Sequence, residues 1–220
     1  MEKICIADTR NQVDDFAVKE IEKLGYRVKR MTLPFGDFAL LDNLSYAIDI
    51  KSSSGGLIEL CRNVCSNDHQ RLKREILKCA DWQGELCFLI VNEDGITHID
   101  QIEFWEVPTF KSDIWVDKYK YHDKWLTRKQ ILEHIHPNNL SAYERKKFKM
   151  HKKGDLMTRV NPKTFMKALK TMSKPNHYGN GFTIRFSFCN RENAGKKIIQ
   201  ILEWWQRQKQ IQQQNAVKLR

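Results

Sequence analysis

Strand-like and helical segments alternate along the first hundred residues, and this alternation constrains the fold more than any other feature of the chain. Ile4 to Ala7 is a short apolar run, and residues 13–24 carry apolar side chains at helical spacing before Gly25. Residues 86–91 are continuously apolar, which is typical of a strand buried on both faces. Alternation of this kind predicts an α/β fold in which helices pack on a sheet.

A β-hairpin is predicted in the middle of this region. Residues 37–41 and 46–51 are strand-like, and Asp42-Asn43 between them has the chemistry of a turn. Because hairpin strands are antiparallel, the sheet is expected to be mixed. The other elements expected before residue 100 are a strand over 26–33 and helices over 57–64 and 69–80.

The second half of the chain has a looser pattern. We predict a helix from Pro162 to Met172, a strand over 182–188 and a helix from Glu192 to about Gln210. A shorter helix is predicted over 127–135. The expected organisation is therefore a core over residues 1–100 followed by a basic, mostly helical extension over 101–220 that packs on it.

The charge of the chain is unevenly distributed. Lys and Arg total 38 against 27 Asp and Glu, a formal net charge of +11. Residues 1–100 hold 13 Lys and Arg against 17 Asp and Glu, which leaves 25 against 10 for residues 101–220. An acidic half joined to a strongly basic half indicates a polyanionic partner.

Cysteine usage and hydropathy indicate where the protein works. The six cysteines lie in apolar or helical settings without the dense framework of a small secreted protein, and no segment approaches the apolar length that a bilayer requires. We therefore expect an intracellular protein of the cytosol or nucleus, with no membrane partner.

Acidic and basic side chains occur together on the predicted hairpin. If residues 37–41 and 46–51 are neighbouring strands, Asp37 and Asp49 can share a divalent cation, and the strand period of two places Lys51 on the face of Asp49. Ile50 would contribute its backbone carbonyl. The pattern suits phosphodiester hydrolysis, in which a metal activates water and an ammonium group offsets developing charge.

A purely structural interpretation of the same residues is available, since Asp-x-Lys is common on strands and acids often flank turns. The apolar surroundings argue against it. Asp49 and Lys51 interrupt a segment that is otherwise suited to burial, and burying charge is costly unless a metal or a partner compensates.

Five motifs follow one another in order over residues 3–94. They are Asp8-Thr9-Arg10 at the end of the first strand, the Gly-Asp-aromatic step of residues 33–38, Asp49-Ile50-Lys51, the Gln-bearing helix at residues 69–72 and the strand of residues 86–93. In this order the motifs resemble the XPF/Hef-type nuclease domain of the PD-(D/E)xK superfamily. Asp49-Ile50-Lys51 stands where the family has Glu-Arg-Lys, so the central arginine is replaced.

The resemblance implies a restriction-endonuclease-like three-layer sandwich and a metal-dependent DNA endonuclease. It implies Asp8, Asp37 and Asp49 as metal-site acids and Lys51 as the catalytic amine, with Arg10 beside them. Mg²⁺ is the implied cofactor, which Mn²⁺ can replace. Branched, flap or junction DNA is the implied substrate, and a homodimer or heterodimer partner is expected. The alternatives are a non-catalytic nucleic-acid-binding module with a nuclease fold, and a sequence-specific or RNA-directed nuclease.

Two further groups are predicted to contact nucleic acid. Gln70 and Arg71 line the expected cleft, although a solvated helix face explains them equally well. The basic run after residue 144 has the charge density to follow a phosphate backbone, against the alternative of a solvated surface. Its predicted contact residues are Arg145, Lys146, Lys147, Lys149, Lys152 and Lys153.

Overall fold

The structure, a computed structural model, describes most of the chain except for a long segment in its second half. The described residues are 2–11, 14–53, 55–65, 69–106, 110–111, 118–121, 124–127, 157–158, 161–179 and 182–218. Within these ranges, no helix has the length and apolar character needed to cross a membrane.

Ten strands and five α-helices make up the described fold. The strands are β1 (Ile4–Asp8), β2 (Arg27–Met31), β3 (Phe38–Leu40), β4 (Asn43–Lys51), β5 (Glu85–Val91), β6 (Phe110–Lys111), β7 (Lys118–Tyr121), β8 (Lys124–Thr127), β9 (Met157–Thr158) and β10 (Ile184–Cys189). The helices are α1 (Asp15–Lys23), α2 (Gly56–Cys65), α3 (His69–Asp81), α4 (Pro162–Met172) and α5 (Ala194–Lys218). Two 3₁₀ helices cover Ile99–Phe104 and Arg191–Asn193.

Six of the strands form one mixed sheet in the order β10-β5-β4-β3-β1-β2. β3 is antiparallel to both β1 and β4, whereas β2 is parallel to β1 and the pairs β4-β5 and β5-β10 are parallel. The predicted hairpin is confirmed, since β3 and β4 are antiparallel neighbours with Phe38 opposite Ile48. β6 pairs with β9 and β7 with β8 in two small separate sheets.

Helices cover both faces of the six-stranded sheet. On one face, α1 and α5 bury side chains such as Ile21 and Trp205 against apolar residues of the strands. On the other face, α2, α3 and α4 bury side chains such as Leu60, Ile76 and Phe165 in a second cluster. The predicted α/β class is therefore confirmed, and the arrangement is compatible with three layers.

The sheet spans both halves of the chain. β10, from the second half, pairs along its whole length with β5, from Ile184 opposite Leu86 to Cys189 opposite Val91. The division expected near residue 100 therefore falls between two strands of one sheet. This long-range parallel pairing leaves no local pattern in the sequence, because the two strands are joined through residues 92–183.

Element ends agree with the sequence predictions in some places and differ in others. α4 covers the predicted residues, because Asn161 accepts hydrogen bonds from Lys163 N and Thr164 N and Pro162 occupies the first turn. The helix predicted from Thr127 is wrong at its first residue, since Thr127 ends β8 in a hairpin with β7. Residues 128–135 lie outside the described residues.

Candidate active site

A polar cavity of about 260 Å³ opens beside the carboxyl end of β4. Its walls come from the end of β1, the β3-β4 hairpin, and helices α2 and α3. The described side chains and backbone that line it are Asp8, Arg10, Asn11, Asp14, Gly36, Asp37, Asp49, Ile50, Lys51, Ser52, Ser53, Glu59, Arg71 and Glu75. The cavity therefore brings together Asp8, Arg10, Asp37, Asp49, Ile50, Lys51 and Arg71 from the set of residues that the sequence singled out.

Two backbone hydrogen bonds of Asp37, together with the preceding Gly36, fix the position of Asp37 in the cavity. Its N–H donates to Ile48 O at 2.7 Å, and its carbonyl accepts from Asp8 N at 2.8 Å. Gly36 has φ of +69° and lies so close to β4 that a Cβ there would be 2.8 Å from the Cβ of Ala47. Only glycine fits this bend, which sets Asp37 just before β3.

The strand period places Asp49 and Lys51 on the same face of β4. Ile48 and Ile50 pack into the cluster with α1 and α5. Asp49 and Lys51 alternate with them and therefore face α2 and α3. This phase confirms the prediction that the two charged side chains share a face.

Lys51 is surrounded by compensating partners although only 4% of its surface is exposed. Its Nζ forms an ion pair with Asp49 Oδ1 and lies 4.0 Å from Glu59 Oε1. The same ammonium group lies 5.5 Å from the centre of the Phe88 ring, within the range of a cation–π contact. Burial alone would lower the pKa of Lys51, but Asp49, Glu59 and Asp37 together raise it above its usual value. Lys51 is therefore a fixed cation rather than a base.

Asp37 has the opposite electrostatic environment. Burial and the nearby charge of Asp49 raise the pKa of Asp37 to about 8, although Ile50 N donates to Asp37 Oδ2 at 2.8 Å and Lys51 lies nearby. Two carboxylates that share a buried site resist simultaneous ionisation. A divalent cation between them would remove this repulsion, so the pair has the electrostatics of a cation site.

Asp8 has a different role from Asp37 and Asp49. Its Oδ1 accepts from Arg10 N at 2.7 Å and Arg10 Nε at 2.8 Å, and its Oδ2 accepts from Arg10 Nη2 at 2.5 Å and Leu33 N at 2.9 Å. Burial would raise the pKa of Asp8, but these hydrogen bonds outweigh burial and hold the pKa below its usual value.

An ionised carboxylate offers about four lone-pair positions, and in Asp8 all of them are taken by these donors. The structure therefore does not support the prediction that Asp8 ligates a metal. Instead, Asp8 fixes the guanidinium of Arg10, which also donates to Leu33 O at 2.8 Å and remains 53% exposed at the cavity.

Sequence reasoning missed three acidic residues of the cavity wall. Glu59 approaches Lys51 from α2 and accepts a hydrogen bond from Ser53 N at 2.9 Å, while burial raises its pKa. Asp14 accepts from Asn11 Nδ2 at 2.6 Å and from Ser52 Oγ at 2.5 Å, which ties α1 to the chain after β4. Glu75 lines the cavity from α3. A sequence signal existed for Glu59, since Gly55-Gly56 permits a close approach of α2 to the strand ends.

Three oxygen-bearing groups remain for a hard cation. Asp37 and Asp49 supply carboxylates, although Asp49 Oδ1 also carries the ion pair with Lys51 Nζ. The N–H of Ile50 points towards Asp37, and in a strand the carbonyl of the same residue points to the same side. Among the described residues, no group of three His, Cys, Asp or Glu side chains is placed to hold a metal. The donor set is therefore two carboxylates and one carbonyl, a number that suits a cation retaining several waters, as Mg²⁺ does.

The predicted nucleic-acid contacts are only partly placed. Arg71 of α3 lines the cavity, whereas Gln70 is exposed on the same helix and does not line it. The basic residues Arg145, Lys146, Lys147, Lys149, Lys152 and Lys153 lie outside the described residues.

Comparison with known proteins does not assign this cavity. No family model matches the chain, and no curated protein matches its sequence.

Proposed function

We propose that the chain is a metal-dependent endonuclease that hydrolyses DNA phosphodiester bonds. The observation that carries the proposal is the convergence of two carboxylates, Asp37 and Asp49, with the buried cation Lys51 in one polar cavity. The antiparallel β3-β4 hairpin, followed by β5 parallel to β4, supports a restriction-endonuclease-like fold for residues 1–100, as the sequence resemblance implies.

The residues present fit Mg²⁺, with Mn²⁺ as a substitute. Asp37 and Asp49 would hold the cation through carboxylate oxygens, and Ile50 through its carbonyl. When bound, such a cation polarises the phosphate and lowers the pKa of a coordinated water.

The chain supplies two positively charged groups in the cavity that holds that site. Lys51 is held protonated by Asp49 and Glu59, so its ammonium group can stabilise the charge that develops on the phosphate oxygens. Arg10 is oriented by its bidentate contact with Asp8 and presents an exposed guanidinium to a neighbouring phosphate. Asp8 is then a positioning residue, and Arg10 the group that contacts substrate.

Polyanionic DNA is the substrate that the charge distribution favours. Residues 101–220 hold 25 Lys and Arg against 10 Asp and Glu, and this positive charge would supply non-specific affinity for phosphate backbones. Branched, flap or junction DNA is the substrate class implied by the sequence resemblance. A homodimer or heterodimer partner would add to the grip on such a junction.

A second candidate function rests on the small number of free carboxylates. Because Asp8 is saturated by Arg10 and Leu33, and Asp49 is paired with Lys51, the same cavity suits a nucleic-acid-binding module that has a nuclease fold without cleaving. Lys51 and Arg10 would then contact a bound phosphate only.

The discriminating experiment is a cleavage assay on wild type, Asp37→Asn, Asp49→Asn and the matched control Asp94→Asn. Asp94 is an exposed acid outside the cavity, so its variant reports effects of charge alone. Single-stranded, duplex, flap, fork and four-way DNA, with an RNA duplex in parallel, are incubated with Mg²⁺ or EDTA. The proposal expects Mg²⁺-dependent cleavage that is lost in both cavity variants and kept in the control.

Each other outcome selects an alternative. Binding without cleavage by wild type at saturating Mg²⁺ would favour the binding module. Cleavage confined to RNA, or to one base sequence in linear duplex, would replace the substrate class. Equal cleavage by both cavity variants would move the chemistry away from Asp37 and Asp49.

A further inference from the structure

A second, larger groove lies along the free edge of the sheet and shares no lining residue with the candidate active site. Its volume is about 660 Å³. β10 ends the strand order, so no described strand pairs with its outer edge. Five consecutive residues, Ile184 to Phe188, line the groove, which means that residues of both sheet faces contribute. The groove therefore runs along the strand edge itself.

The outer backbone groups of β10, which no described strand pairs with, repeat at regular intervals along this groove. Asn92 N donates to Cys189 O, so the carbonyl of Cys189 points inward, towards the β5 side. By strand alternation, the N–H and C=O of Ile184, Phe186 and Phe188 then point outward. An extended peptide is the partner whose own N–H and C=O groups repeat at the matching interval.

Helix α5 supplies one wall of the groove, and the segment around Thr97 to Ile99 supplies the opposite wall. The residues of α5 recur at helical spacing, and they are Lys197, Gln200, Ile201, Trp204 and Arg207. Two walls therefore flank the outer edge of β10.

The charge of the groove selects an acidic occupant. Arg185, Lys197 and Arg207 line it, and none of its described lining residues is acidic. Arg185 and Arg207 lie 3.5 Å and 3.7 Å from Glu85 and Glu203, whereas Lys197 has no ion pair among the described residues. Arg185 belongs to β10 and Lys197 to α5, so it is the tertiary structure that brings them into one positively charged patch.

The two edge strands of the sheet differ in their number of charged side chains. β2, at the opposite edge, reads RVKRM, and three of its five residues are cations. Such charges discourage pairing with another strand. β10 reads IRFSFC with a single cation, so its edge lacks this protection. A second copy of this chain would bring a basic groove against a basic groove, which disfavours self-pairing.

A single-stranded nucleic acid fits the same groove less well. Trp204 is 40% exposed, but the guanidinium of Arg185 lies over its ring at 5.2 Å and occupies the face on which a base would stack. Nucleic acid also lacks the alternating donors and acceptors that the β10 edge presents.

We propose that this groove binds an extended acidic peptide segment of a partner protein, which adds as a seventh strand beside β10. The acidic side chains would face Arg185 and Lys197 on the α5 side. The proposal does not depend on the nuclease assignment, since the two sites share no residue.

Fluorescence anisotropy with four labelled probes tests the proposal. The first is a capped peptide of alternating Glu and Thr about six residues long, which matches the six residues of β10. The second replaces each Glu by Lys, the third carries N-methyl groups at alternate backbone positions, and the fourth is an oligothymidine of similar length. We expect that only the first probe binds, and that its affinity falls as the salt concentration rises.

Two protein variants locate the binding. Lys197→Glu should weaken binding of the acidic peptide by about fivefold, whereas the control Lys19→Glu, an exposed cation of α1, should leave it unchanged. Circular dichroism melting of both variants verifies that they fold. Equal binding of the N-methylated peptide, tighter binding of oligothymidine, no binding of the acidic peptide, or an unchanged affinity in Lys197→Glu would each overturn the proposal.

Discussion

Replacing Asp37 by Asn should stabilise the metal-free protein, and the gain should grow as the pH rises. Burial and the charge of Asp49 raise the pKa of Asp37 to about 8 in the folded protein. The unfolded chain releases the same proton near the ordinary value of 3.8. Between these two values the folded state binds more protons, so wild type loses stability as pH increases. Asn cannot titrate, and its amide oxygen can still accept from Ile50 N.

The magnitude follows from the separation of the two pKa values. Each pH unit within that window changes the free energy of unfolding by about 1.4 kcal/mol for one proton. From pH 5 to pH 7 the difference between variant and wild type should therefore grow by about 3 kcal/mol at most. Adjustment of Asp49 and Lys51 to the uncharged Asn reduces this value, so an increase of about 1–3 kcal/mol is the expected result.

Urea unfolding in EDTA at pH 5, 6 and 7 measures this difference. Subtracting wild type from variant cancels all groups that titrate alike in both proteins, and Asp94→Asn provides the control for removing an exposed acid. Addition of Mg²⁺ at pH 7 should then stabilise wild type and leave Asp37→Asn nearly unchanged. A variant-minus-wild-type difference that stays constant over the pH range would refute the reasoning about Asp37.

Three further changes address other parts of the structure. Asp8→Asn should lower the free energy of unfolding by about 2–4 kcal/mol in urea, because it leaves the buried partners of Asp8 poorly satisfied; an unchanged value would contradict its positioning role. Gly36→Ala should cost about 1–3 kcal/mol from backbone strain and its contact with Ala47, and more than the control Gly25→Ala, where φ is +84° but nothing lies within 4 Å of the added Cβ. Equal losses would mean that the close approach is unimportant. Neutralising four lysines of the basic run should weaken DNA binding for all sequences and reduce the slope of log affinity against log salt by about 3–4, whereas an unchanged slope would indicate a solvated face. The four are Lys146, Lys147, Lys152 and Lys153.

Local sequence rules predicted the parts of the site that depend on strand geometry. The turn predicted at Asp42-Asn43 lies one residue earlier, at Leu41-Asp42, because Asn43 already pairs with Leu40 as part of β4. The predicted hairpin and the strand period of two were nevertheless sufficient to bring Asp37 near Asp49 and to place Lys51 on the face of Asp49. α4 was equally predictable, since Asn161 and Pro162 specify its first turn through local hydrogen bonding. These rules involve neighbouring residues only, so no knowledge of the tertiary fold was needed.

Other parts of the site depend on packing between distant elements. Glu59 reaches Lys51 because α2 begins against the ends of two strands, where a Cβ on Gly56 would lie 2.0 Å from Lys51 O and 2.6 Å from Val91 O. The periodicity of α2 predicts that Leu57, Leu60 and Cys61 are buried, but the short distance between its first turn and the strand ends follows from this contact. The positioning role of Asp8 could not be predicted from the sequence either, because it depends on the side chain of Arg10 folding back onto the Asp8 carboxylate.

β10 is synthesised after the other five strands of the sheet, and this order affects how the nascent chain folds. β5 is buried along almost its whole length, and one of its two edges is covered by residues 184–189. Until the ribosome has released those residues, an apolar strand with an unpaired edge is exposed on an otherwise assembled sheet, which is the kind of surface that aggregates. The nascent chain therefore passes through a vulnerable interval while residues 92–183 are made. A chain ending before residue 184 should collect in the insoluble fraction even though it contains every residue of the polar cavity.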